Sequence, residues 1–183
     1  MDATVICRNV SKTYAQDAVA VHALADIDLE IPHQDFACLS GPSGSGKTTL
    51  LNLIGGLDRV TAGETTVAGS RIDMLDNAAL AQLRLHRIGF VFQEYNLIPV
   101  LSAIENVEYV MLLQGVPDGE RRARAAAILK EVGLEGLEDR RPGELSGGQQ
   151  QRVAVARAIV TQPALVLADE PTANLDSASG AAL

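Results

Sequence analysis

Short apolar or alternating runs, closed by turn residues, occupy both ends of the sequence. Ile27, Leu29 and Ile31 alternate with two acidic residues before Pro32, a pattern that predicts a half-buried strand. The continuous apolar runs at residues 36–39 and 164–168 predict strands covered on both faces. Three more predicted strands share β-branched or aromatic residues and lie at residues 5–10, 65–67 and 88–92.

The middle of the chain has helical periodicity instead. Apolar positions recur at helical spacing from residue 102, a charged helix follows at residues 118–132, and Gly133 is a natural stop. Further helices are predicted at residues 49–57, 80–85 and 153–160. With strands at both ends and helices between about 102 and 161, the pattern predicts an α/β fold, a parallel sheet interrupted by a helical insertion.

Composition narrows the class of protein. The 183 residues are 47% hydrophobic and 21% charged, as expected for one globular domain, and the net charge of −8 disfavours nucleic-acid binding. No apolar run reaches the roughly 18 residues of a spanning helix, and residues 1–10 lack a signal-peptide pattern. We therefore expect a soluble, cytoplasmic chain, in which Cys7 and Cys38 are buried thiols in strands.

Residues 41–48 carry the strongest chemical signal. Gly41-Pro42-Ser43-Gly44-Ser45-Gly46-Lys47-Thr48 fits G-x-x-x-x-G-K-[ST] and lies between a predicted strand and a predicted helix. Glycines let backbone N–H groups crowd around phosphate oxygens, and a helix N-terminus favours negative charge. Lys47 supplies a point charge to the β- and γ-phosphates, and the Thr48 hydroxyl can ligate Mg²⁺, so ATP and Mg²⁺ are predicted ligands.

A second signal is the pair of carboxylates after the strand predicted at residues 164–168. A buried strand that ends in Asp169 and Glu170 is weak evidence alone, because many strands end in acids. Beside a phosphate loop, it predicts Asp169 near the metal and Glu170 where an attacking water would lie.

The third signal is Leu145-Ser146-Gly147-Gly148-Gln149. Ser146 and Gln149 form an S-x-x-Q capping box, but capping does not explain two glycines in a first helical turn, where they cost helix propensity. This pentapeptide resembles the signature of the ATP-binding-cassette (ABC) family, and the resemblance extends over residues 4–176. It implies a P-loop NTPase core, with a mostly parallel sheet, flanking helices and N-terminal antiparallel strands. It also implies that the core comprises residues 1–93 and 164–183 and that residues 94–163 form a helical subdomain.

The resemblance also implies residue roles. Tyr14 would stack on adenine, although a half-exposed tyrosine at a strand end is the structural alternative. Gln93 would contact Mg²⁺ and the attacking water, and Ser146 and Gly148 would meet the γ-phosphate bound by an opposite subunit. Ala173-Asn174-Leu175-Asp176 matches the loop that crosses the dimer interface. The implied catalytic residues are Glu170, Gln93 and Lys47, and the implied metal ligands are Thr48, Gln93 and Asp169. The implied nucleotide contacts are Tyr14, Gly41, Pro42, Ser43, Gly44, Ser45, Gly46, Lys47, Thr48, Thr49, Ser146, Gly147, Gly148 and Gln149.

The sequence around these motifs is similar to that of the ATPases of lipoprotein-releasing and macrolide-efflux exporters. Gly55-Gly-Leu-Asp and Gly89-Phe-Val-Phe-Gln93 carry this likeness. It implies a homodimer, or a pair with a second ABC ATPase subunit, on the cytoplasmic side of the cell membrane. Tyr95, Leu97 and Ile98, in a predicted loop, are apolar enough to form a groove for a short helix of a membrane permease.

The resemblance also implies a histidine after one further strand beyond Asp169 and Glu170. No histidine of this sequence matches it, because His22, His33 and His86 all precede Gln93. The cassette is therefore expected to be incomplete at its C-terminus, poorly stable alone and slow in ATP hydrolysis. A soluble ABC ATPase acting on ribosomes or DNA, or a remnant that only binds nucleotide, stays open as an alternative.

Overall fold

The computed structural model describes residues 3–16 and 19–173. The chain divides into two compact units, Met1–Arg84 and Leu85–Leu183. Each unit contains its own sheet among the described residues: one is four-stranded and antiparallel, and the other is a parallel pair.

The first unit is built on an antiparallel sheet with strand order β2-β1-β3-β4. Its strands are β1 (Ala3–Gln16), β2 (Val19–Pro32), β3 (Ala62–Val67) and β4 (Ser70–Arg71). Helix α1 (Lys47–Ile54) follows β2, a 3₁₀ turn at Ile72–Met74 follows β4, and α2 (Asn77–Arg87) begins in this unit. The predicted N-terminal antiparallel strands are thus confirmed, and β1 and β2 extend well beyond the short runs at residues 5–10 and 27–31 that predicted them.

The apolar face of this sheet forms the core of the first unit. Val5, Val10 and Val67 are fully buried, and Cys7 is buried between Leu29 of β2 and Thr65 of β3. Burial raises the pKa of the Cys7 thiol, so this cysteine is the small hydrophobic side chain that the sequence predicted.

The strand predicted at residues 36–39 is absent. Phe36 is 93% exposed and Cys38 is also exposed, so the prediction of a covered strand and of a buried Cys38 thiol was wrong. The physical reason is pairing: among the described residues, no strand forms a ladder with this segment, and an apolar run without a neighbouring strand cannot become part of a sheet.

The second unit combines a parallel strand pair with helices. It contains β5 (Ile88–Val91), α3 (Ala103–Leu113), α4 (Asp118–Glu131), a 3₁₀ turn at Pro142–Glu144, α5 (Gly147–Ile159) and β6 (Leu165–Ala168). Fully buried apolar residues of the three helices, among them Val107, Leu129 and Val153, pack into one core. The predicted helical segment is therefore confirmed as a packed helical layer.

Strand β6 forms where it was predicted but is less covered than expected. Leu167 is buried, whereas Val166 is 43% exposed. Within the described residues β6 pairs with β5 alone, which leaves part of its surface uncovered. Helix α5 approaches β5 closely at Gly89, where an added Cβ would collide with the carbonyl of Ala158.

Helix α3 begins with a capping box that the sequence analysis did not predict. Ser102 accepts a hydrogen bond from the Glu105 amide, and the Glu105 carboxylate accepts one from the Ser102 amide. One turn into the helix, the fully buried Asn106 side chain binds the preceding loop. It accepts from the Ile98 amide at 2.8 Å and donates to the carbonyls of Ile98, Leu101 and Ser102.

No helix among the described residues is both long enough and apolar enough to cross a membrane.

Asn106→Ala should lower the free energy of unfolding by about 1–3 kcal/mol, because it leaves the half-buried Ile98 amide without its acceptor. Urea denaturation followed by circular dichroism measures this change. Glu131→Ala, an exposed position near the end of α4, is the control and should change stability by less than about 0.5 kcal/mol. Equal stability of the two variants would contradict the role given to Asn106.

Candidate functional site

The predicted phosphate loop leads directly into helix α1. Gly46 is the N-cap of the helix and has φ 88°, in the left-handed region that glycine adopts without strain. Its carbonyl accepts the first helical hydrogen bond, from the Leu50 amide at 2.8 Å. An ideal Cβ at Gly46 would lie 2.7 Å from the Ala23 carbonyl oxygen and 2.8 Å from Leu24 Cδ2, both on β2. Position 46 therefore needs glycine for its conformation and for its space.

The N-terminus of α1 carries no capping side chain and no acidic residue in its first turn. The first N–H groups of a helix have no partner inside the helix, and together with the helix dipole they form a positive end. At the starts of α3 and α5, by contrast, the Ser102 and Ser146 side chains each accept from one such group. The start of α1 is thus suited to bind an anion.

The Lys47 side chain folds back over the loop. Its Nζ donates to the carbonyl oxygens of Gly41 at 2.9 Å and Pro42 at 3.0 Å. The Ser45 amide donates to the Pro42 carbonyl at 3.3 Å, which closes a turn inside the loop. The cation and the helix N-terminus therefore act on one short segment of backbone.

Tyr14, on β1, belongs to the same unit. Its hydroxyl donates to Asp58 Oδ2 at 2.8 Å, and the Thr49 side chain of α1 lies close to it. Burial, together with the Asp58 carboxylate, raises the pKa of Tyr14. Burial by itself would raise the pKa of the Asp58 carboxyl. The hydrogen bonds from the Lys12 ammonium and the Tyr14 hydroxyl outweigh it, so the pKa of Asp58 is lowered. Sequence reasoning missed Lys12 and Asp58; the only available signal for Lys12 was its spacing of two residues from Tyr14, which places both on one strand face.

In the second unit, the parallel pair of strands brings the predicted catalytic groups to one edge. Val91 pairs with Ala168, and the Asp169 amide donates to the Val91 carbonyl at 2.9 Å. Gln93 follows β5 and Asp169 and Glu170 follow β6, so all three leave the carboxyl ends of neighbouring strands.

Glu170 has a strained backbone. It is exposed and has φ 45°, an unusual value for a residue with a Cβ, and its carbonyl accepts from the Ala173 amide in a turn. Such strain is frequent where a side chain must be presented to a ligand. In the predicted interface loop, Asn174, Leu175 and Asp176 lie outside the described residues.

The capping box predicted at the start of α5 is confirmed. The Ser146 hydroxyl accepts from the Gln149 amide at 3.3 Å, and the Gln149 side chain accepts from the Ser146 amide at 2.8 Å. Gly147 and Gly148 form the first turn, where the absence of side chains leaves the backbone accessible. Ser146 itself is exposed.

Arg157 of α5 holds the loop that follows Gln93. Its guanidinium donates to the carbonyls of Asn96 at 2.6 Å and Tyr95 at 3.0 Å, and burial lowers the pKa of Arg157. Sequence reasoning missed this contact, because nothing in a helical pattern reveals a carbonyl 61 residues away. The helix that starts at Ser146 therefore also fixes the backbone beyond Gln93.

The same loop lines a groove, called the loop groove here, with a volume of about 490 Å³. Its lining residues are Glu94, Tyr95, Asn96, Leu97, Pro99, Pro142 and Gln150. Tyr95 and Leu97 were predicted to line such a groove, whereas Ile98 is half-buried and outside the lining.

The predicted site residues thus form separate groups within the two units. In the first unit, Tyr14 meets Thr49 beside the loop that carries Lys47 and Thr48. In the second, Gln93, Asp169 and Glu170 share a sheet edge, and the four residues 146–149 begin α5.

Comparison with known proteins gives consistent matches. The family described as ABC transporter matches residues 24–173. The lipoprotein-releasing system ATP-binding protein LolD of Chromohalobacter salexigens is 47% identical over 93% of this chain and 72% of its own length. The macrolide export ATP-binding/permease protein MacB of Sodalis glossinidius is 47% identical over 94% of this chain, which spans only 26% of that protein.

A solved structure gives the same picture. The similar structure is that of the ATP-binding cassette MJ0796 of Methanocaldococcus jannaschii, a dimer in a post-hydrolysis state bound to ADP and Pi. Its TM-score with this chain is 0.90 and the two sequences are 46% identical. The match covers 97% of this chain and 78% of the MJ0796 chain. The predicted fold class and the predicted likeness to lipoprotein-releasing and macrolide exporters are confirmed. The matches to LolD and MacB are equally strong in identity.

Gly46→Ala should lower nucleotide affinity at least about tenfold, because a Cβ would collide with β2 and displace the loop. Gly69→Ala is a matched control: Gly69 also has a positive φ (79°), but nothing lies within 4 Å of its Cβ position. The control should cost about 1–2 kcal/mol in stability and leave affinity unchanged. Equilibrium titration with a fluorescent ATP analogue distinguishes them, and equal affinities would contradict this account of the loop.

Proposed function

The chain belongs to the ABC transporter family, and we propose that it is the subunit that binds and hydrolyses ATP to power an exporter of the lipoprotein-release or macrolide-efflux type. The observation that carries this proposal is the uncapped N-terminus of α1, entered through Gly46 and covered by Lys47. That segment offers backbone N–H groups and a cation, which are the groups that triphosphate oxygens require.

In this proposal the triphosphate lies on the loop and the adenine lies on Tyr14. Lys47 meets the β- and γ-phosphates, and the backbone of the loop surrounds them. The proposed contacts in the first unit are Tyr14, Gly41, Pro42, Ser43, Gly44, Ser45, Gly46, Lys47, Thr48 and Thr49.

The side chains also fit a magnesium ion that accompanies the nucleotide. Among the described residues, no three His, Cys, Asp or Glu side chains are grouped so that they could hold a metal ion by themselves. A nucleotide-bound Mg²⁺ needs only one or two protein carboxylate or hydroxyl ligands, since phosphate and water supply the others. Thr48 offers a hydroxyl oxygen, Asp169 a carboxylate oxygen and Gln93 an amide carbonyl oxygen, and when bound the ion would neutralise phosphate charge.

Hydrolysis is assigned to Glu170 with Gln93. Glu170, presented on a strained backbone at the strand edge, orients a water molecule for in-line attack on the γ-phosphate, and Gln93 holds that water from the neighbouring strand. Lys47 and the N-terminus of α1 stabilise the negative charge of the transferring phosphoryl group.

A second copy of the chain, or another ABC ATPase subunit, completes the site in this proposal. Ser146, Gly147, Gly148 and Gln149 begin a helix that has no acidic residue in its first turn, so its backbone can meet the γ-phosphate of the facing subunit. The dimeric state named for the similar cassette with ADP and Pi supports this arrangement.

An integral membrane permease is the second proposed partner. The loop groove offers the apolar surfaces of Tyr95, Leu97 and Pro99 to a short cytoplasmic helix, on a backbone held by Arg157. Through such contact the chain would lie at the cytoplasmic side of the cell membrane. LolD and MacB, named for lipoprotein release and macrolide export, support this type of partner.

Lys47→Ala should reduce ATP affinity at least about a hundredfold, since it removes the cation that faces two phosphates. The matched control is Lys130→Ala, which removes an exposed lysine paired with Glu135 and should bind ATP normally. Isothermal titration with Mg²⁺–ATP measures both, and binding by Lys47→Ala at the control's affinity would exclude the proposed loop.

Glu170→Gln should keep ATP binding, stop turnover and accumulate an ATP-bound dimer, because the amide cannot accept a proton from water. Phosphate release and light scattering with and without ATP measure the two effects. Glu131→Gln is the control for loss of one acidic charge. A monomeric Glu170→Gln protein that turns over like the control would refute the assignment.

A further inference from the structure

Lys12, Tyr14 and Asp58 form a cluster that the phosphate-loop chemistry does not use. We propose that Lys12 and Asp58 are positioning residues that hold the Tyr14 ring as a platform for the adenine base. This inference rests on the proposed function, in which Tyr14 stacks on ATP. It adds two residues, 12 and 58, to which no sequence motif assigned a role.

Asp58 holds both partners with different oxygen atoms. Oδ1 accepts from Lys12 Nζ at 2.7 Å, and Oδ2 accepts from the Tyr14 hydroxyl at 2.8 Å. Lys12 Nζ also donates to the Arg59 carbonyl at 2.8 Å. A single carboxylate therefore fixes the far end of the phenol and the cation beside it.

The cation lies over the ring that it helps to position. Lys12 Nζ is 4.7 Å from the Tyr14 ring centroid, a cation–π distance. Because Lys12 covers one face, the proposal places the stacked base on the opposite face. A cation on one face also draws electron density out of the ring, which favours stacking of an electron-rich purine on the other.

Burial explains why the Lys12–Asp58 ion pair keeps a fixed geometry, unlike most ion pairs at a protein surface. The Lys12 side chain is 11% exposed and that of Asp58 32%. Exposed pairs such as Lys130–Glu135, 67% and 66% exposed, are screened and flexible. Loss of either partner in the Lys12–Asp58 pair leaves a charge with reduced solvation, so the ring would lose its fixed orientation.

The cluster also connects the platform to both ends of α1. The Asp58 backbone amide donates to the Asn52 carbonyl near the end of the helix, and the Thr49 side chain in the first turn lies close to the Tyr14 hydroxyl. Helix α1 starts at the phosphate loop. The spacing between base and phosphates is therefore set by one helix and the contacts at its two ends.

The test separates base recognition from phosphate binding. Equilibrium titrations with Mg²⁺–ATP and with inorganic tripolyphosphate are made on the full chain and on Tyr14→Ala, Asp58→Ala and Lys12→Met, with Lys130→Met as the control. We expect Tyr14→Ala to weaken ATP about tenfold and the other two variants about three- to fivefold. Tripolyphosphate affinity should stay within about twofold in all of them.

Three results would overturn the inference. Equal losses for ATP and tripolyphosphate in Asp58→Ala would show that the cluster only maintains the fold. ATP affinity lost in Tyr14→Ala but kept in Asp58→Ala and Lys12→Met would refute positioning while keeping the platform. Unchanged ATP affinity in Tyr14→Ala would refute the platform, and the inference with it. Asp58→Asn, which keeps the side-chain size, replaces Asp58→Ala if the latter does not fold.

Discussion

The first helical turn after the glycine-rich loop imposes the constraint on which the other features depend. Its backbone amides lie at a positive helix end with no side-chain cap and no acidic neighbour, so an anion is their best partner. The chain reaches this turn only through Gly46, whose left-handed backbone lies too close to β2 for any side chain. Lys47 and the Tyr14 cluster are arranged around that helix, one at its start and the other touching both its ends.

In the second unit, the N-terminus of α5 also presents backbone amides, but here side chains cap the helix. Helix α5 begins with two glycines, but its first turn is stabilised by the Ser146–Gln149 box, so the backbone can be presented without fraying. At the other end of this helix, the half-buried Arg157 guanidinium binds carbonyls of the loop beyond Gln93. A movement of α5 would therefore act on that loop, which connects the edge carrying Gln93 to the loop groove.

Much of this was predictable because the relevant constraints are local. The phosphate loop, the capping box of Ser146 and the carboxylates after β6 depend on residue type and short spacing. The loop leads into the expected helix, and the capping box and the carboxylates lie on the elements expected. The strand at residues 36–39 was predicted wrongly, since an apolar run says nothing about whether a neighbour will pair with it. Asp58 and Arg157 were missed because their partners lie 44 to 62 residues away, and long-range hydrogen bonds leave no period in a sequence.

The central claim is that main-chain amides at the start of α1 bind the phosphates. Backbone amide resonances, followed by NMR during titration with Mg²⁺–ATP, test it most directly. The account predicts that the largest shifts belong to the N–H groups of Gly44, Gly46, Lys47 and Thr48, and that tripolyphosphate reproduces them. Shifts centred on other residues, with these four unchanged at saturation, would contradict it.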